Sequence, residues 1–187
     1  MGLLSLFTKK ANKRDEEFGL PKNDKEKWCL DICSIWCFSA NGNSTILGGG
    51  FTAKSAKLIL SRDWGLTINA NASNELLDNY IAPMINGTQN DKTELAWEYC
   101  CAGQLLCLGY AAEIIDRNQY NTNMFEIAKK LQTNFTDWED MVEKYFEGYL
   151  NQTGNEDELD YRIKVYSALK ADSSPNFATD WNTNFNY

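Results

Sequence analysis

The apolar and polar positions of this chain follow helical spacing along most of its length, and the densest apolar stretch lies in the middle. Between Leu95 and Ile115, apolar and small residues fall on every face of a predicted helix over about residues 92–115, which begins at a D-x-x-E pair, Asp91 and Glu94. A helix that is apolar all round is buried, with other helices packed on several sides. The pattern therefore predicts a buried central helix around which the rest of the chain is organised.

Amphipathic segments on both sides of the central helix predict the helices that surround it. Before it, we expect helices over about residues 26–40, 52–61 and from about 71 to 83; after it, we expect helix starts at Asn123, Thr136 and Asn155, each followed three residues later by Glu. The run Gly48-Gly49-Gly50 lacks the spacing of phosphate-binding loops and is predicted to connect two helices.

No alternating pattern typical of a β-strand exceeds four residues, so the predicted class is all-α. We expect a single compact domain of about six to seven helices over residues 25–187, because 187 residues with 43% hydrophobic content can bury one core. Residues 1–24 are predicted to form a flexible N-terminal tail. Near the other end, aromatic residues predict that the C-terminal segment packs onto the helices: Phe177, Trp181, Phe185 and Tyr187.

The chain contains no histidine, which excludes Ser–His and Cys–His nucleophile pairs, imidazole general bases and metal sites with histidine ligands. An enzyme built from this sequence would depend on carboxylates, Lys, Tyr or Cys for its acid–base chemistry. The composition therefore favours binding over catalysis.

The net charge of −8 disfavours a role on duplex nucleic acid, where affinity rests on clustered Lys and Arg, and it suits a basic protein partner. The uncharged run from Tyr99 to Ala112 is shorter than the roughly 20 residues that a bilayer requires, so no membrane partner is expected. With six cysteines and no secretory signal pattern, we expect a cytoplasmic location.

The six cysteines fall into two groups that could meet if the first and central helices pack together. Four such thiolates could hold a soft metal, but structural zinc sites usually take C-x₂₋₄-C pairs on turns, a pattern that these cysteines lack. We expect small core residues and neither a metal nor a cofactor. The two groups are Cys29, Cys33 and Cys37, and Cys100, Cys101 and Cys107.

Glu98 is the strongest candidate for a polar site, because a carboxylate on a helix that is otherwise apolar is expected to be paired or to have a raised pKa. One interpretation places Glu98 in a cleft near Asp63, Glu139 or Arg62. The other gives it a structural hydrogen bond to an indole N–H or a capping amide. The tryptophans are most simply core residues, with an aromatic ligand pocket as the alternative: Trp64, Trp97, Trp138 and Trp181.

Several separated motifs occur together in a specific order. They are D-W-G-L at residues 63–66, A-W-E at 96–98, L-G-Y-A-A at 108–112, F-T-D-W-E at 135–139, a later Gly148, S-P at 174–175 and D-W at 180–181. In this order and spacing they resemble the bacterial DUF1266 family, a set of proteins of unknown function, over about residues 30–182. The residues that carry the resemblance are Trp64, Gly65, Trp97, Gly109, Trp138, Gly148, Pro175 and Trp181.

The resemblance implies an all-helical cytoplasmic domain and no established chemistry. The family pattern has A-W-D-x-x-R in the central helix and S-W-E followed later by Gly-Arg. Here Glu98 stands at the position of the Asp, while Cys101 and Tyr149 stand at the positions of the two arginines. This chain therefore lacks two of the cations of that pattern and keeps the acid.

The function that the sequence favours is a protein-binding module with an acidic surface, such as an inhibitor or immunity-like protein. One alternative is a carboxylate-dependent enzyme centred on Glu98, and another is a small-ligand sensor with a Trp-lined pocket. A solvent-reaching cleft at Glu98 with a second acid would favour the enzyme. A sealed core there with an acidic face elsewhere would favour the binder.

Overall fold

A computed structural model describes residues 19–87, 91–171 and 174–185 of the chain. Within these ranges the chain forms helices joined by turns and loops, with no β-strand, so the all-α prediction is confirmed. The helices are α1 (Asp24–Asp31), α2 (Ser34–Ser39), α3 (Ala53–Trp64), α4 (residues 72–86), α5 (Lys92–Ala111), α6 (Arg117–Asn134), α7 (Trp138–Thr153) and α8 (Glu156–Leu169). Helix α4 consists of the segments Ala72–Asn74, Glu75–Ile81 and Ala82–Asn86, of which the middle one is π-helical.

The central helix is α5, as the all-round apolar pattern predicts. It packs against α3, α4, α6, α7 and the turn Leu47–Gly50, and its buried residues include Ala96, Ala102 and Leu106, none of which exposes any surface. None of the helices in the described ranges is long and apolar enough to span a membrane. The predicted tail over residues 1–24 falls mainly on residues 1–18, outside the described ranges, and stays a prediction, as does the single-domain boundary.

The chain leaves α5 at Ala111 and begins α6 at Arg117, so the predicted helix start at Asn123 is wrong. A reciprocal capping box produces the new start: the Asp116 carboxylate accepts from the Gln119 N–H at 2.8 Å, and the Gln119 side chain accepts from the Asp116 N–H at 3.0 Å. The D-x-x-Q sequence satisfies two backbone donors at once, whereas Asn123 lies inside α6.

The other predicted helix boundaries need two corrections. The predicted helix over residues 26–40 is interrupted after Asp31, where the Ser34 hydroxyl donates to the Asp31 carbonyl at 3.0 Å and competes with the helical bonding pattern. Helix α7 is capped by Asp137 rather than Thr136, because the Asp137 carboxylate accepts from the Asp140 N–H at 2.8 Å. The predicted caps at Thr52 and Asn155 are confirmed.

The Gly48-Gly49-Gly50 run connects α2 to α3, as predicted. All three residues have φ between 62° and 75°, a region that glycine occupies without the steric cost of a side chain. A Cβ at Gly48 would lie 3.3 Å from the Ala111 Cβ, so this turn packs directly against the end of α5.

Aromatic residues from both ends of the described chain form a buried cluster, which confirms that the C-terminal segment (residues 174–185) packs onto the helices. Trp28 of α1, Trp138 of α7 and Trp181 of the C-terminal segment form the tryptophan cluster, with ring centroids separated by 4.4 to 5.2 Å. The Trp28 indole N–H donates to the Trp181 carbonyl at 3.2 Å. Phe185 packs against the same group, while Tyr187 lies outside the described residues.

Gly148 of α7 lies in close contact with α5. A Cβ built on Gly148 would lie 2.6 Å from the backbone carbonyl oxygen of Thr93 and 2.8 Å from the Cβ of Trp97. Neither atom is at the end of a flexible side chain, so the two helices would have to move apart to accommodate a Cβ at position 148.

We expect Gly148→Ala to lower the free energy of unfolding by about 1–3 kcal/mol, because overpacking outweighs the better helix propensity of alanine. Chemical denaturation followed by circular dichroism measures this effect. The control is Asn151→Ala, at an exposed position of the same helix, which should leave stability unchanged or slightly raised. Equal stability of Gly148→Ala and the wild type would contradict the close approach.

Candidate functional site

A cleft of about 280 Å³ lies where α1, α2, the end of α3, α5, α7 and α8 meet. Its lining combines aromatic side chains with two carboxylates and one guanidinium. The residues that line it are Asp31, Ile32, Cys33, Ile35, Trp36, Asp63, Trp64, Trp97, Cys100, Cys101, Gln104, Met141, Val142, Tyr145, Tyr149 and Arg162.

Half-buried indoles form much of the cleft wall. Trp36, Trp64 and Trp97 come from three different helices, and each keeps part of its ring accessible. Trp97 stacks on Tyr145 with a centroid distance of 6.1 Å and an interplanar angle of 15°, and it meets Tyr149 edge-on at 5.7 Å. These contacts hold the Trp97 ring in place, so the wall is largely preformed.

Arg162 of α8 supplies the only guanidinium among the lining residues. Its side chain is 11% exposed, its Nη1 donates to the Tyr145 hydroxyl at 3.0 Å, and its Nη2 lies 3.1 Å from a Glu158 carboxylate oxygen. The guanidinium also lies over the Tyr149 ring, 4.6 Å from its centroid. Its Nε is buried and has no hydrogen-bond acceptor among the described residues.

The sequence contains a signal for Arg162 that the apolar pattern alone misses. Among the apolar residues of α8, Ile163 is 42% exposed, while Val165 and Leu169 are buried. Arg162 lies three and seven residues before these buried positions and therefore shares their face of the helix. The signal for Arg162 is therefore a charged residue at the helical spacing of two apolar positions that are buried.

Asp31 is a second buried polar residue that lines the cleft. Its carboxylate, 2% exposed, accepts from the Asn176 side-chain amide at 2.8 Å and from the Phe177 N–H at 2.9 Å. Burial raises the pKa of Asp31 to about 7, although these two hydrogen bonds act in the opposite direction. Sequence analysis missed it, although Asp31 lies three residues after Trp28 and four before Ile35, in phase with the apolar stripe of its helix.

The predicted site residues occupy different places in the structure. Asp63 lines the cleft at the end of α3 and pairs with Arg62, whose guanidinium lowers the pKa of Asp63 through hydrogen bonding. Glu139 is exposed in the first turn of α7 and pairs with Lys170. Glu98 and Glu139 are not among the residues that line the cleft.

Glu98 is half-buried on α5, one turn before Cys101. Burial raises the pKa of Glu98, and the negative charge of Glu94 adds to the effect. The direction agrees with the expectation for a carboxylate on an apolar helix. A carboxylate-dependent site built on Glu98 with Asp63 or Glu139 stays a prediction.

All six cysteines are buried and none forms a disulfide. Burial raises the pKa of the Cys29 and Cys100 thiols well above the usual range and that of Cys101 to about 12. These three thiols are therefore protonated at neutral pH and are poor metal ligands in this form. Over the described ranges, no group of three or more Cys, Asp or Glu side chains is placed to hold a metal ion.

Most of the residues that carry the family resemblance have one of three structural roles. Trp64 and Trp97 line the cleft. Glycines permit close helix contacts on α5 and α7, and Trp138 and Trp181 belong to the tryptophan cluster. The remaining positions are Gly65, which ends α3 with a φ of 71°, and Pro175 in the C-terminal segment; the two contact glycines are Gly109 and Gly148.

The two positions at which the resemblance implies an arginine, Cys101 and Tyr149, both line the cleft beside Arg162. The Arg162 guanidinium covers the Tyr149 ring, and its positive charge lowers the pKa of Cys101, although burial has the larger, opposite effect. Arg162 of α8 thus places a cation beside both positions.

Comparison with known proteins supplies one match. The model of the family described as "Protein of unknown function (DUF1266)" matches residues 7–184, nearly the whole chain, which extends the resemblance on both sides of residues 30–182. Comparisons with curated proteins and with solved structures gave no match. The chain therefore belongs to the DUF1266 family.

Proposed function

We propose that this chain is a small-molecule-binding domain whose ligand lies in the cleft between α1, α2, α5, α7 and α8. The observation that carries the proposal is the wall of half-buried indoles, Trp36, Trp64 and Trp97, around a space of about 280 Å³. Ligand sites are typically concave, lined mainly by apolar and aromatic side chains, and supplied with a few polar groups that orient the ligand. A role as a sensor or carrier follows from such a site.

The six tryptophans provide a direct test, because three line the cleft and three form the tryptophan cluster. The protein is labelled with 5-fluorotryptophan and titrated with indole-3-acetamide, a neutral planar probe, while 19F NMR spectra are recorded. We expect saturable shifts of the cleft resonances and unchanged resonances of the tryptophan cluster. Single Trp→Phe variants assign the signals.

A variant that fills the cleft provides the control. Gln104 is half-buried on α5 and lines the cleft, so Gln104→Trp should occupy the space and abolish the shifts. Asn118→Trp adds the same side chain at an exposed position of α6 and should leave binding unchanged. Absence of any saturable shift in the wild type would contradict the proposal.

A protein partner that binds an acidic surface is the second candidate function. Residues 137–169 contain nine acidic and three basic residues, a net charge of −6 out of the total of −8. Tyr161 and Ile163 of α8 are 43% and 42% exposed within this acidic region. An exposed tyrosine on an acidic surface supports contact with a basic protein, since tyrosine is enriched in interfaces.

Neutralising the exposed acids of α8 tests this second candidate. We expect immobilised wild type to retain basic proteins that elute at raised salt, and a triple variant, Glu156→Gln, Asp157→Asn and Asp160→Asn, to lose them. The matched control removes three exposed acids elsewhere: Asp78→Asn, Glu94→Gln and Glu113→Gln. Equal retention by both triple variants would count against an α8 interface.

A further inference from the structure

We infer that the cleft selects a planar ligand with a carboxylate or a similar singly charged anionic group, and that Arg162 binds this group. The inference rests on the proposed function, because it names the chemistry of the ligand in the same cleft. Arg162 of α8 is not among the residues that carry the family resemblance.

The donors of Arg162 are incompletely used within the protein. Nη1 donates to the neutral hydroxyl of Tyr145, Nη2 pairs with Glu158, and the guanidinium also makes a side-chain hydrogen bond with Tyr149. Nε alone lacks an acceptor in the part of the chain that the structure describes. A guanidinium has five N–H donors arranged to bind a carboxylate through two parallel hydrogen bonds. A ligand carboxylate could take the edge formed by Nε and Nη2, so Arg162 keeps capacity for such a partner.

The protein's own carboxylate at Arg162, Glu158, is more exposed than the guanidinium that it pairs with. Glu158 lies one turn earlier on the same helix, and its side chain is 35% exposed, whereas that of Arg162 is 11% exposed. Water and salt therefore screen the Glu158 side of this pair more than the Arg162 side. A ligand anion inside the cleft would be less screened than Glu158 and would compete with it.

The two acids that line the cleft already have partners. Asp31 accepts from the Asn176 amide and the Phe177 N–H, and Asp63 pairs with Arg62 through two contacts. Their hydrogen-bonding capacity is largely occupied, so a cationic ligand gains less from them than an anionic ligand gains from Arg162. The cleft therefore favours an anion despite the negative charge of the whole chain.

The neighbours of Arg162 indicate a flat ligand. Tyr149 fixes the guanidinium plane from one side, and Trp97 stacks on Tyr145, whose hydroxyl accepts from Arg162. A conjugated ring beside the indoles would place its carboxylate near the guanidinium. Stacking and charge then act together on one molecule.

Three probes with the same ring and different charge test the inference. We expect indole-3-acetate to bind about 10- to 100-fold more tightly than its neutral isostere indole-3-acetamide, and tryptamine to bind most weakly, in 19F NMR titrations at one pH and ionic strength. Binding of the acetamide alone tests the proposed function. Equal affinities of the acetate and the acetamide would overturn the anion site and leave the proposed function standing.

Two substitutions assign the preference to Arg162. Arg162→Met should remove the advantage of the acetate while the acetamide still binds, which also shows that the cleft is folded. Glu158→Gln removes the competing carboxylate and should strengthen acetate binding severalfold, with acetamide binding unchanged. Glu156→Gln, at an exposed position of the same helix, changes the total charge equally and should have no such effect.

Different results of these titrations would overturn the assignment to Arg162 and the proposed function. An acetate preference that survives Arg162→Met overturns the assignment to Arg162. If Arg162→Met does not fold, the Glu158→Gln and Glu156→Gln pair decides: equal acetate affinity in the two variants also overturns it. Failure of all three probes to bind the wild type overturns both the inference and the proposed function.

Discussion

Replacing Trp28 by alanine is expected to lower the free energy of unfolding by about 3–5 kcal/mol, because it empties the centre of the tryptophan cluster. The Trp28 ring has no exposed surface and contacts the rings of Trp138, Trp181 and Phe185 at centroid distances of 4.4 to 5.2 Å. Urea denaturation monitored by far-UV circular dichroism measures the loss.

Two further variants separate the volume of the Trp28 ring from its hydrogen bond. Trp28→Phe keeps a buried ring but removes the indole donor to the Trp181 carbonyl, which still accepts from Gln132, so its cost should be smaller than that of alanine. Leu58→Ala removes a side chain that is 59% exposed and should change stability little. A loss below about 1 kcal/mol for Trp28→Ala would contradict a cluster at the centre of the core.

The stability of the protein is expected to fall as the pH rises through the range in which Asp31 ionises. Burial raises the folded-state pKa of Asp31 from 3.8 to about 7, so the folded protein holds this proton more tightly than the unfolded chain. The resulting stabilisation is complete below about pH 4 and is lost as the pH rises through about 7. The difference between the two pKa values corresponds to about 4 kcal/mol.

The comparison with Asp31→Asn isolates this effect from the other titrating groups. Asparagine removes the titration, and its amide places a donor against the Asn176 amide or the Phe177 N–H, so the variant should be less stable at pH 5. The difference in unfolding free energy between the two proteins should shrink as the pH rises from 4 to 8. Denaturation at several pH values measures it, and parallel pH profiles would contradict the prediction.

The sequence predicts the parts of this fold that depend on local patterns. The all-round apolar character of α5 identifies it as the buried centre, and the caps at Thr52 and Asn155 mark two helix starts. Predicted helix boundaries are wrong where two possible caps lie close together, as at Asp116 and Asn123. The sequence does not reveal which side chain accepts a hydrogen bond from a free backbone N–H.

The candidate site is harder to predict, because its polar residues come from distant parts of the chain. The motifs of the sequence include Asp63 and Trp97, but Asp31 and Arg162 depend on partners that only the fold brings near, such as Asn176 and Tyr145. The sequence shows that Asp31 and Arg162 share the helical spacing of buried apolar residues. It does not show which tertiary contacts these two side chains make.

The C-terminal segment has a consequence for the order in which the protein can fold. The Asp31–Asn176 and Trp28–Trp181 hydrogen bonds join residues separated by 145 and 153 positions. Closing such long loops carries an entropic cost before any contact compensates for it, so these contacts are expected to form late.

During synthesis, α1 is therefore made long before the segment that covers it. At about 5–20 residues per second, the roughly 145 residues between Asp31 and Asn176 take about 7 to 30 seconds to translate. Over that interval the indole of Trp28 lacks Trp181 and Phe185, and the carboxylate of Asp31 lacks its two donors. The nascent chain thus exposes the apolar indole of Trp28 until residues 174–185 have been made, and exposed apolar surface of this kind is prone to aggregation.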